Sequence, residues 1–481
     1  MILITFIFLS GCTLQGETSL FNFDFPASFQ NDPDKPAENI NEYMYQTWWT
    51  RYNDPVLDQL ISQLLNQNLE LKAAAARSLQ AQERLTQTRG SLFPTLSLDT
   101  TAARNATPTG ANTTQTTTAT TTGFGNTPET TYSTHYELGL SAAWQVDLFG
   151  QVRNSISAAE AGFKASEAER HALVQNLIIQ LIGQRVRLAT LSTLMELTKE
   201  TIQNRRKILE TVERRYELGS EQTSALDVRL ARENLDRVMA DLPPLQADYQ
   251  EAFYTLEILV GEMPGTSNLQ EINNYTLLPP PERLEIPPPV ALLDRRPDLQ
   301  SAAYRVEAAK ANISVALADL YPGLSLSGSY GYQATELENL ISPEQIAWSL
   351  LGNLTAPLFE GGRLRATVRL REAEAEELAA NYAQSILQAV GDVETALKQE
   401  NELRNQHETL RETLTQSEEA YDLAYRRYTR GLVGFAELLE IERRIFQTRT
   451  QLLQVEQSVW QARLNLMLAL GGDWLGEEEQ I

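Results

Sequence analysis

The sequence predicts a mainly α-helical chain that also contributes strands to a membrane β-barrel, with the architecture built by internal duplication. Three observations predict this fold class. A strand-like segment that continues into a long helical run occurs twice, at residues 144–153 (WQVDLFGQVR) and 354–363 (LTAPLFEGGR). The strand-like segments alternate between apolar and polar residues. The helical runs would each extend about 100 Å at 1.5 Å per residue, which exceeds a globular domain of this length.

The strand-like segments have a period of two residues. Between residues 136 and 148 every second side chain is apolar, and residues 348–358 repeat the pattern. This period places one face of a strand against an apolar medium and the other against water. Segments of about ten alternating residues with terminal aromatic residues are typical of outer-membrane barrels. The alternative is a soluble β-sandwich with one wetted face, but the further strands that it needs are missing.

Four strands per chain are predicted, at residues 93–98, 136–148, 324–332 and 348–358. They are too few to close a barrel, since bacterial barrels have even numbers from about eight upward and lipid does not tolerate an open sheet edge. The chain is therefore expected to oligomerise. Two copies would give eight strands and three would give twelve, and the strand pattern leaves both possibilities open.

The helical runs have apolar residues at three- and four-residue spacing, with alanine and leucine at the packing positions. This pattern predicts helices that pack side by side as in coiled coils. Asp54 followed by Pro55 predicts an N-cap and a proline in the first helical position. The predicted helices span residues 55–90, 151–217, 224–260, 297–320, 363–430 and 435–470.

Composition narrows the class of protein. The net charge of −23 argues against a nucleic-acid-binding protein, which needs a basic footprint. Much of this charge is expected on solvated helix surfaces, although an acidic tube lining would favour cations. No apolar run of membrane-spanning length follows the N-terminus, so any membrane crossing is assigned to the strands.

The single cysteine, Cys12, predicts a lipid anchor. Residues 1–10 are apolar, and residues 9–12 (LSGC) fit a bacterial lipobox. Cleavage would free Cys12 for acylation, and a lone cysteine cannot form an internal disulfide. The stretch departs from the usual signal pattern, because no Lys or Arg precedes it.

The Thr-rich stretch at residues 100–134 is predicted to be an extracellular loop between the first two strands. A proline-rich stretch divides the two repeats and is predicted to be extended.

The predicted organisation is a signal peptide (1–11), a lipid-anchored extended segment (12–54), first-repeat helices (55–90 and 150–260) with a strand pair (91–149), a connector (261–295), second-repeat helices (296–320 and 361–470) with a strand pair (321–360), and a C-terminal tail (471–481).

Several short motifs occur in a specific order, although each is weak alone. They are residues 48–49 (WW), 54–57 (DPVL), 144–153, 219–227 (GSEQTSALD), 292–298 (LLDRRPD), 320–326 (LYPGLSL), 356–363 (APLFEGGR) and 469–474 (ALGGDW). Through these motifs nearly all of the chain after Cys12 resembles the outer membrane factor family of TolC-like efflux proteins, in its lipoprotein branch.

This resemblance implies a homotrimer in the bacterial outer membrane, with a twelve-stranded β-barrel that takes four strands from each chain and continues into a long periplasmic α-helical barrel. It implies a passive conduit that exports small molecules, drugs or other toxic compounds, and that docks onto a periplasmic adaptor protein and an inner-membrane pump. It implies no catalytic residues, no metal site and no cofactor beyond the covalent lipid on Cys12.

The resemblance also places the gate and the adaptor contact at the turns of the two long helical hairpins. The implied contact residues are Gly219, Ser220, Gly431, Leu432 and Gly434. Glu437 and Glu440, which share a helix face, match acidic constriction positions of the family, and Asp227 takes the corresponding place in the first repeat. Threefold symmetry would turn these carboxylates into negative rings. Acidic residues in a first helical turn also favour the helix dipole without any gating role.

Two other functions share parts of this pattern. A lipid-anchored periplasmic coiled-coil scaffold or adaptor would need the helices and the lipobox but not the amphipathic strand pairs. The outer-membrane conduit of a protein secretion system would need the whole architecture. An enzyme is not favoured, because His135, His171 and His407 lack metal-ligand spacing and are interpreted as surface residues, and no nucleophile elbow or phosphate-binding glycine loop occurs.

Overall fold

The computed structural model describes residues 25–32, 48–108, 130–219, 223–266 and 286–472. Cys12, Ser220 and the predicted signal peptide and tail from 473 onward lie outside the described residues. The chain divides into two compact units. One comprises residues 1–19, 81–163 and 305–378, and the other comprises residues 20–80, 164–304 and 379–481.

The strands form one four-stranded antiparallel sheet in the first unit, in the order β1 (Thr95–Pro108), β2 (Thr130–Val146), β3 (Gly323–Ala334) and β4 (Ile346–Thr355). The register continues each face across the sheet, because Leu98 lies opposite Leu140 and Leu324 opposite Leu354. Ser97, Ser141 and the other serines therefore share the opposite face, where Ser97 Oγ and Ser141 Oγ are 2.6 Å apart. The sheet thus has the one apolar and one polar face that the two-residue period predicts.

The ends of several strands differ from those predicted. The Thr-rich stretch was predicted to be a loop over residues 100–134, but β1 extends through it to Pro108 and β2 begins at Thr130. Threonine is β-branched and suits a strand, so composition alone was misleading there. β4 ends at Thr355, two residues before Pro357, which has no N–H group to donate to a neighbouring strand.

The helices lie in the segments that the apolar spacing predicts, except that the predicted helix 55–90 is divided at Asn68 into two helices. Asp54 caps α1 as expected, since its carboxylate accepts hydrogen bonds from the N–H groups of Val56 and Leu57, and Pro55 takes the first position. α4 remains one helix through Pro243 and Pro244. The described helices are α1 (Pro55–Gln67), α2 (Leu69–Gly90), α3 (Gln151–Glu217), α4 (Ala225–Leu259), α5 (Leu292–Arg295), α6 (Pro297–Ala318), α7 (Arg363–Thr429) and α8 (Phe435–Ala469).

Two segments predicted to be extended contain helical turns. Residues 12–54 end in a 3₁₀ helix, Trp48–Tyr52, whose two tryptophans are buried. Tyr52 packs edge-on against Trp460 with 4.8 Å between the ring centroids. The described part of the proline-rich connector contains the 3₁₀ turn Pro289–Ala291 and then α5. In both places burial of apolar side chains orders a segment whose local composition favoured extension.

The largest apolar core lies in the second unit and is built from α1, α3, α4 and α8. Leu60, Leu181, Phe253, Leu256 and Trp460 are almost fully buried there. Full burial of one such side chain stabilises the fold by about 1.5–3 kcal/mol. These long helices therefore take their stability from mutual packing rather than from helical propensity alone.

The duplication extends to the packing of loop residues. Gly261 follows α4 and Gly471 follows α8, both with positive φ, and a Cβ on either would lie 2.7 Å from a carbonyl oxygen, of Gln67 and Arg295 respectively. Asn68 Nδ2 donates to the carbonyl of Leu259, and Arg296 Nη1 donates to that of Ala469. The same junction is thus built twice with different side chains.

The N-terminal segment is fixed to the second unit by α7. Phe29 is buried in a cluster that includes Leu299 and Val393. The carboxylate of Glu394 accepts hydrogen bonds from the N–H groups of Gln30 and Asn31, at 2.5 and 3.0 Å, and from Asn31 Nδ2 at 2.7 Å. This group of contacts, here called the Glu394 clasp, joins Gln30 to a residue 364 positions later in the sequence.

Candidate functional site: the turns of the two long hairpins

The α3–α4 and α7–α8 turns begin in the same way. Gly219 and Gly431 follow α3 and α7 with φ angles of 72° and 74°, a left-handed conformation that favours glycine. After α7 the N–H groups of Gly431 and Leu432 donate to the carbonyls of Tyr428 and Arg427, the paired bonds of a Schellman motif. Glycine is therefore required at these two positions by the backbone itself.

Asp227 has a local structural role at the start of α4. Its carboxylate accepts hydrogen bonds from the N–H and hydroxyl groups of Ser224, both at 2.8 Å, and its own N–H donates to Ser224 Oγ at 3.3 Å. This reciprocal pair is a capping box. It accounts for an acidic residue at this position without a gate, so the assignment of Asp227 to the constriction stays a prediction.

Glu437 occupies in α8 the place that Asp227 occupies in α4, since each is the third residue of a 35-residue helix. The N-cap of α8 is Gly434, which has no side chain to form the reciprocal cap. Glu437 is exposed in the first turn, where a carboxylate is favoured by the helix dipole.

Glu440 lies one turn further along α8 and is paired with two arginines. Arg443 Nη2 and Arg444 Nε approach its carboxylate oxygens at 2.9 and 3.2 Å. These hydrogen bonds hold the pKa of Glu440 below its ordinary value, so the carboxylate is ionised and its charge is balanced within the same helix. The sequence analysis overlooked this pairing, although the i, i+3 and i, i+4 spacing of the three residues indicates it.

Below the turns, four helices share an apolar cluster, here called the tip cluster. Its buried members come in pairs from the four helices: Leu209 and Val212, Ala231 and Leu235, Ala424 and Tyr428, and Phe435 and Leu438. Arg215 Cζ also lies 5.0 Å from the centre of the Tyr428 ring, a cation–π contact between α3 and α7. The tip cluster therefore binds the two hairpins of one chain to each other.

A buried ion pair crosses the same region. Arg205 Nε of α3 and Glu442 Oε1 of α8 are 3.7 Å apart, and both side chains are largely excluded from solvent. Arg205 Nη1 also donates to the carbonyl of Asn234 in α4 at 2.9 Å. Burial raises the pKa of Glu442, and Arg205 opposes the shift. Sequence reasoning missed this pair, because no local spacing relates residues on helices so far apart in the chain.

The turns also expose large apolar side chains. Leu218, Leu226 and Leu432 are 80%, 65% and 64% exposed. Such side chains at a hairpin turn are suited to contact with another protein. Of the predicted contact residues, Gly219, Gly431, Leu432 and Gly434 lie in these turns, whereas Ser220 lies outside the described residues.

The histidines do not all lie on the surface as expected. His171 and His407 are half-buried, and His407 Nε2 lies 3.1 Å from Glu456 Oε1. Burial, with a smaller effect of Arg170, lowers the pKa of His171 to about 4. Within the described residues, no group of three or more His, Cys, Asp or Glu side chains is arranged to hold a metal ion.

No helix in the described part of the chain is both long and apolar enough to cross a membrane. The family model for outer membrane efflux proteins matches residues 60–262 and 289–472, which includes all of the described helices from α2 onward and all four strands. The chain belongs to the outer membrane efflux protein family. It is therefore an outer-membrane channel subunit of an efflux system, as its sequence motifs predict.

Individual relatives agree with this assignment. The chain is 31% identical to the pyoverdine export outer membrane protein OpmQ of Pseudomonas putida, over 93% of this chain and 92% of that protein. It is 26% identical to the probable outer membrane lipoprotein SilC of Salmonella typhimurium, over 98% of both chains. Among solved structures, the outer-membrane channel OprN matches with a TM-score of 0.86 at 27% identity, over 96% of this chain and 100% of that chain.

The fold is that of these outer-membrane channels, with a mostly helical chain and one four-stranded antiparallel sheet.

Proposed function

We propose that three copies of this chain form a passive conduit across the outer membrane. The observation that carries the proposal is the four-stranded sheet, in which, among the residues that the structure describes, β1 pairs only with β2 and β4 only with β3. The apolar hydrocarbon of a bilayer offers no partner for two rows of free backbone N–H and C=O groups. Three copies joined edge to edge supply twelve strands and leave no open edge.

The tip is proposed to hold the gate. Threefold symmetry would repeat Glu437 and Glu440 around the axis of the conduit, with Asp227 nearby in the first repeat. Because Glu440 is balanced by Arg443 and Arg444, the uncompensated charge of this part of α8 comes from Glu437. A ring of three carboxylates favours cations over anions at the constriction.

The contact with a periplasmic adaptor is proposed to involve the turn residues Gly219, Ser220, Gly431, Leu432 and Gly434. The exposed side chains of Leu218, Leu226 and Leu432 support a contact of apolar character. Through the adaptor the conduit would serve an inner-membrane pump, which supplies the energy. In this proposal the subunit itself catalyses no reaction and binds no cofactor.

The cargo is proposed to be small molecules, such as drugs or other toxic compounds. OpmQ, which is similar along nearly the whole chain, is named for the export of pyoverdine, and this supports a small-molecule cargo. Cys12 is proposed to carry the lipid anchor. SilC is named as a probable lipoprotein, and residues 9–12 of this chain fit a lipobox.

Electron microscopy of the mature protein purified in detergent tests the conduit. The expected result is a hollow particle with threefold symmetry, well over about 100 Å long given the helix rise. A solid rod or a soluble monomer would contradict the proposal and favour the periplasmic scaffold. Efflux is then measured in cells that lack their own outer-membrane channel. Recovery of resistance to small molecules supports the proposed cargo. If the cells secrete a protein but do not recover resistance, the protein-export alternative is favoured.

A further inference from the structure

A recess of about 440 Å³ lies at one end of the sheet, where the strands meet the helices, and is here called the foot recess. It is built within the first unit from the ends of α6, β2 and β4 and the first turns of α3 and α7. Gln145 and Thr355 on its wall share the polar face with Ser141 and Ser349, because even spacing keeps strand residues on one face. Its volume is in the range of small-molecule sites.

Three carboxylates line the foot recess, and two of them are balanced by a neighbouring arginine. Asp147 accepts hydrogen bonds from the N–H group of Arg153 and from Arg153 Nε, both at 3.0 Å. Glu360 forms an ion pair with Arg363. The charges of these two carboxylates are therefore largely used in fixing the first turns of α3 and α7.

Asp319 is the third carboxylate, and its environment differs. It accepts a hydrogen bond from the neutral amide of Gln151, and Arg363 acts on it only through space, since that guanidinium is paired with Glu360. Burial raises the pKa of Asp319, and the Gln151 hydrogen bond and Arg363 oppose the shift. A cation placed in the foot recess would stabilise the ionised form of Asp319.

The duplication shows that the backbone does not require a carboxylate at this position. α2 and α6 each contain 22 residues, and the residues that follow them are Ser91 and Asp319. The two turns have matching backbone hydrogen bonds, because the N–H groups of Leu92 and Leu320 each donate to the carbonyl three residues earlier, both at 3.1 Å. The same turn thus forms with either side chain, which leaves the carboxylate of Asp319 available for another role.

A pair of aromatic rings forms another wall of the foot recess. Phe149, between β2 and α3, stacks on Tyr321, between α6 and β3, with 4.9 Å between the ring centroids and 22° between the ring planes. Aromatic rings give apolar contact and attract cations to their faces. A metal ion would instead need several free oxygen ligands, and two of the three carboxylates here are already paired.

We propose that the foot recess binds organic cations, with Asp319 facing the charged nitrogen and the rings of Phe149 and Tyr321 packed against the apolar part. The inference rests on the proposed conduit and names a class of cargo that binds along it. Because the apolar face of a barrel strand contacts lipid, the polar face and the foot recess border the passage.

Ethidium, an aromatic organic cation, is the probe. Its fluorescence anisotropy measures binding to the purified mature protein in detergent, with the detergent alone as a blank. Asp319→Asn removes the charge and keeps the shape of the side chain, and Asp319→Ser inserts the residue type of the first repeat. We expect both to weaken ethidium binding by about tenfold, the effect of one charge-assisted contact.

The matched control is Asp99→Asn, which removes a carboxylate from the polar face of β1 outside the foot recess. It should keep the parental affinity, whereas Phe149→Leu should weaken binding with Asp319 intact. Equal affinities in the parent and both Asp319 variants would overturn the inference, as would a parent that does not bind ethidium. An equal loss in Asp99→Asn would also overturn it, because the cation would then respond to the general charge of the polar face.

The mass of each particle, measured in the same detergent, separates this inference from the proposed function. A monomeric parent would contradict the proposed trimer, but its ethidium affinities could still be compared because the foot recess lies within one chain. A trimer whose affinity does not depend on Asp319 would leave the conduit intact and overturn only the recess. Equal circular dichroism spectra of the parent and the variants show that a loss of binding is not a loss of folding.

Discussion

At the scale of single residues, Glu440 is the clearest case in which neighbours change the meaning of a carboxylate. Its sequence position alone predicts a negative ring, but Arg443 and Arg444 bind it within the same helix. Removing Glu440 therefore leaves two unpaired positive charges in each copy, whereas removing Glu437 takes away one exposed negative charge. The two substitutions differ in charge environment although they are both Glu→Ala.

We predict that Glu437→Ala and Glu440→Ala each lower the cation preference of the channel, because each removes one negative charge per copy. The reversal potential in a planar bilayer under a salt gradient measures this preference. The control is the double variant E440A/R443A, which removes one negative and one positive charge and is expected to give a reversal potential close to that of the parent. Equal reversal potentials for both single variants and the parent would contradict the assignment of this region to the constriction.

His171 gives a prediction for pH. Burial lowers its pKa from 6.5 to about 4, so the unfolded chain takes up the proton before the folded chain does. The stability that the neutral imidazole contributes is therefore complete above pH 6.5 and is lost as the pH falls from 6.5 to about 4. Thermal unfolding of the parent and of His171→Gln, measured between pH 6.5 and about 4, tests this loss of stability. The parent should lose stability more steeply than the variant, and parallel curves would contradict the prediction.

Single residues also show where sequence reasoning succeeds. Asp54 and Pro55 start α1 as predicted, because an N-cap depends only on atoms within one helical turn. The ion pair of Arg205 and Glu442 could not be predicted, because α3 and α8 are brought together by tertiary packing, which leaves no local signal in the sequence.

At the scale of elements, the glycines that follow α4 and α8 are fixed by close approach to another segment. At Gly471 the φ angle is 79°, and a Cβ would lie 2.7 Å from the carbonyl oxygen of Arg295. Gly261 is placed in the same way against Gln67. The duplicated junction thus requires a residue without a side chain in both repeats.

We predict that Gly471→Ala and Gly261→Ala each destabilise the protein. Left-handed backbone strain costs about 1–3 kcal/mol for a residue with a Cβ, and the clash adds to it. Gly391→Ala is the matched control, because nothing lies within 4 Å of its Cβ position in the middle of α7. It should be neutral or stabilising by up to about 1 kcal/mol. The denaturant concentration at the midpoint of unfolding compares the stability of all three variants with that of the parent. Equal midpoints would show that the junction tolerates a side chain.

At the scale of the whole molecule, the Glu394 clasp joins the N-terminal segment to α7. The contact is charge-assisted, and such hydrogen bonds contribute about 1.5–3 kcal/mol when they are formed to an ionised group. Partial exposure of the segment reduces this value. The clasp therefore fixes residues 30 and 31 against α7.

We predict that Glu394→Ala accelerates amide hydrogen exchange at Gln30 and Asn31, whose N–H groups donate to Glu394. The expected acceleration is about tenfold, which corresponds to roughly 1.4 kcal/mol. The exposed Glu412 on the same helix provides the control Glu412→Ala, which should leave this exchange unchanged. Unaltered exchange in Glu394→Ala would show that burial of Phe29 alone holds the segment.

The alternation of the strands could be predicted from the sequence alone, as could the extent of the long helices, the duplication and the family. All of these depend on local periodicity or on short motifs, which are properties of neighbouring residues. The folded structure was needed to show the order and register of the four strands, the burial of Arg205 with Glu442 and the Glu394 clasp. These contacts join residues distant in sequence, and packing of apolar surface, which carries no local signature, brings them together.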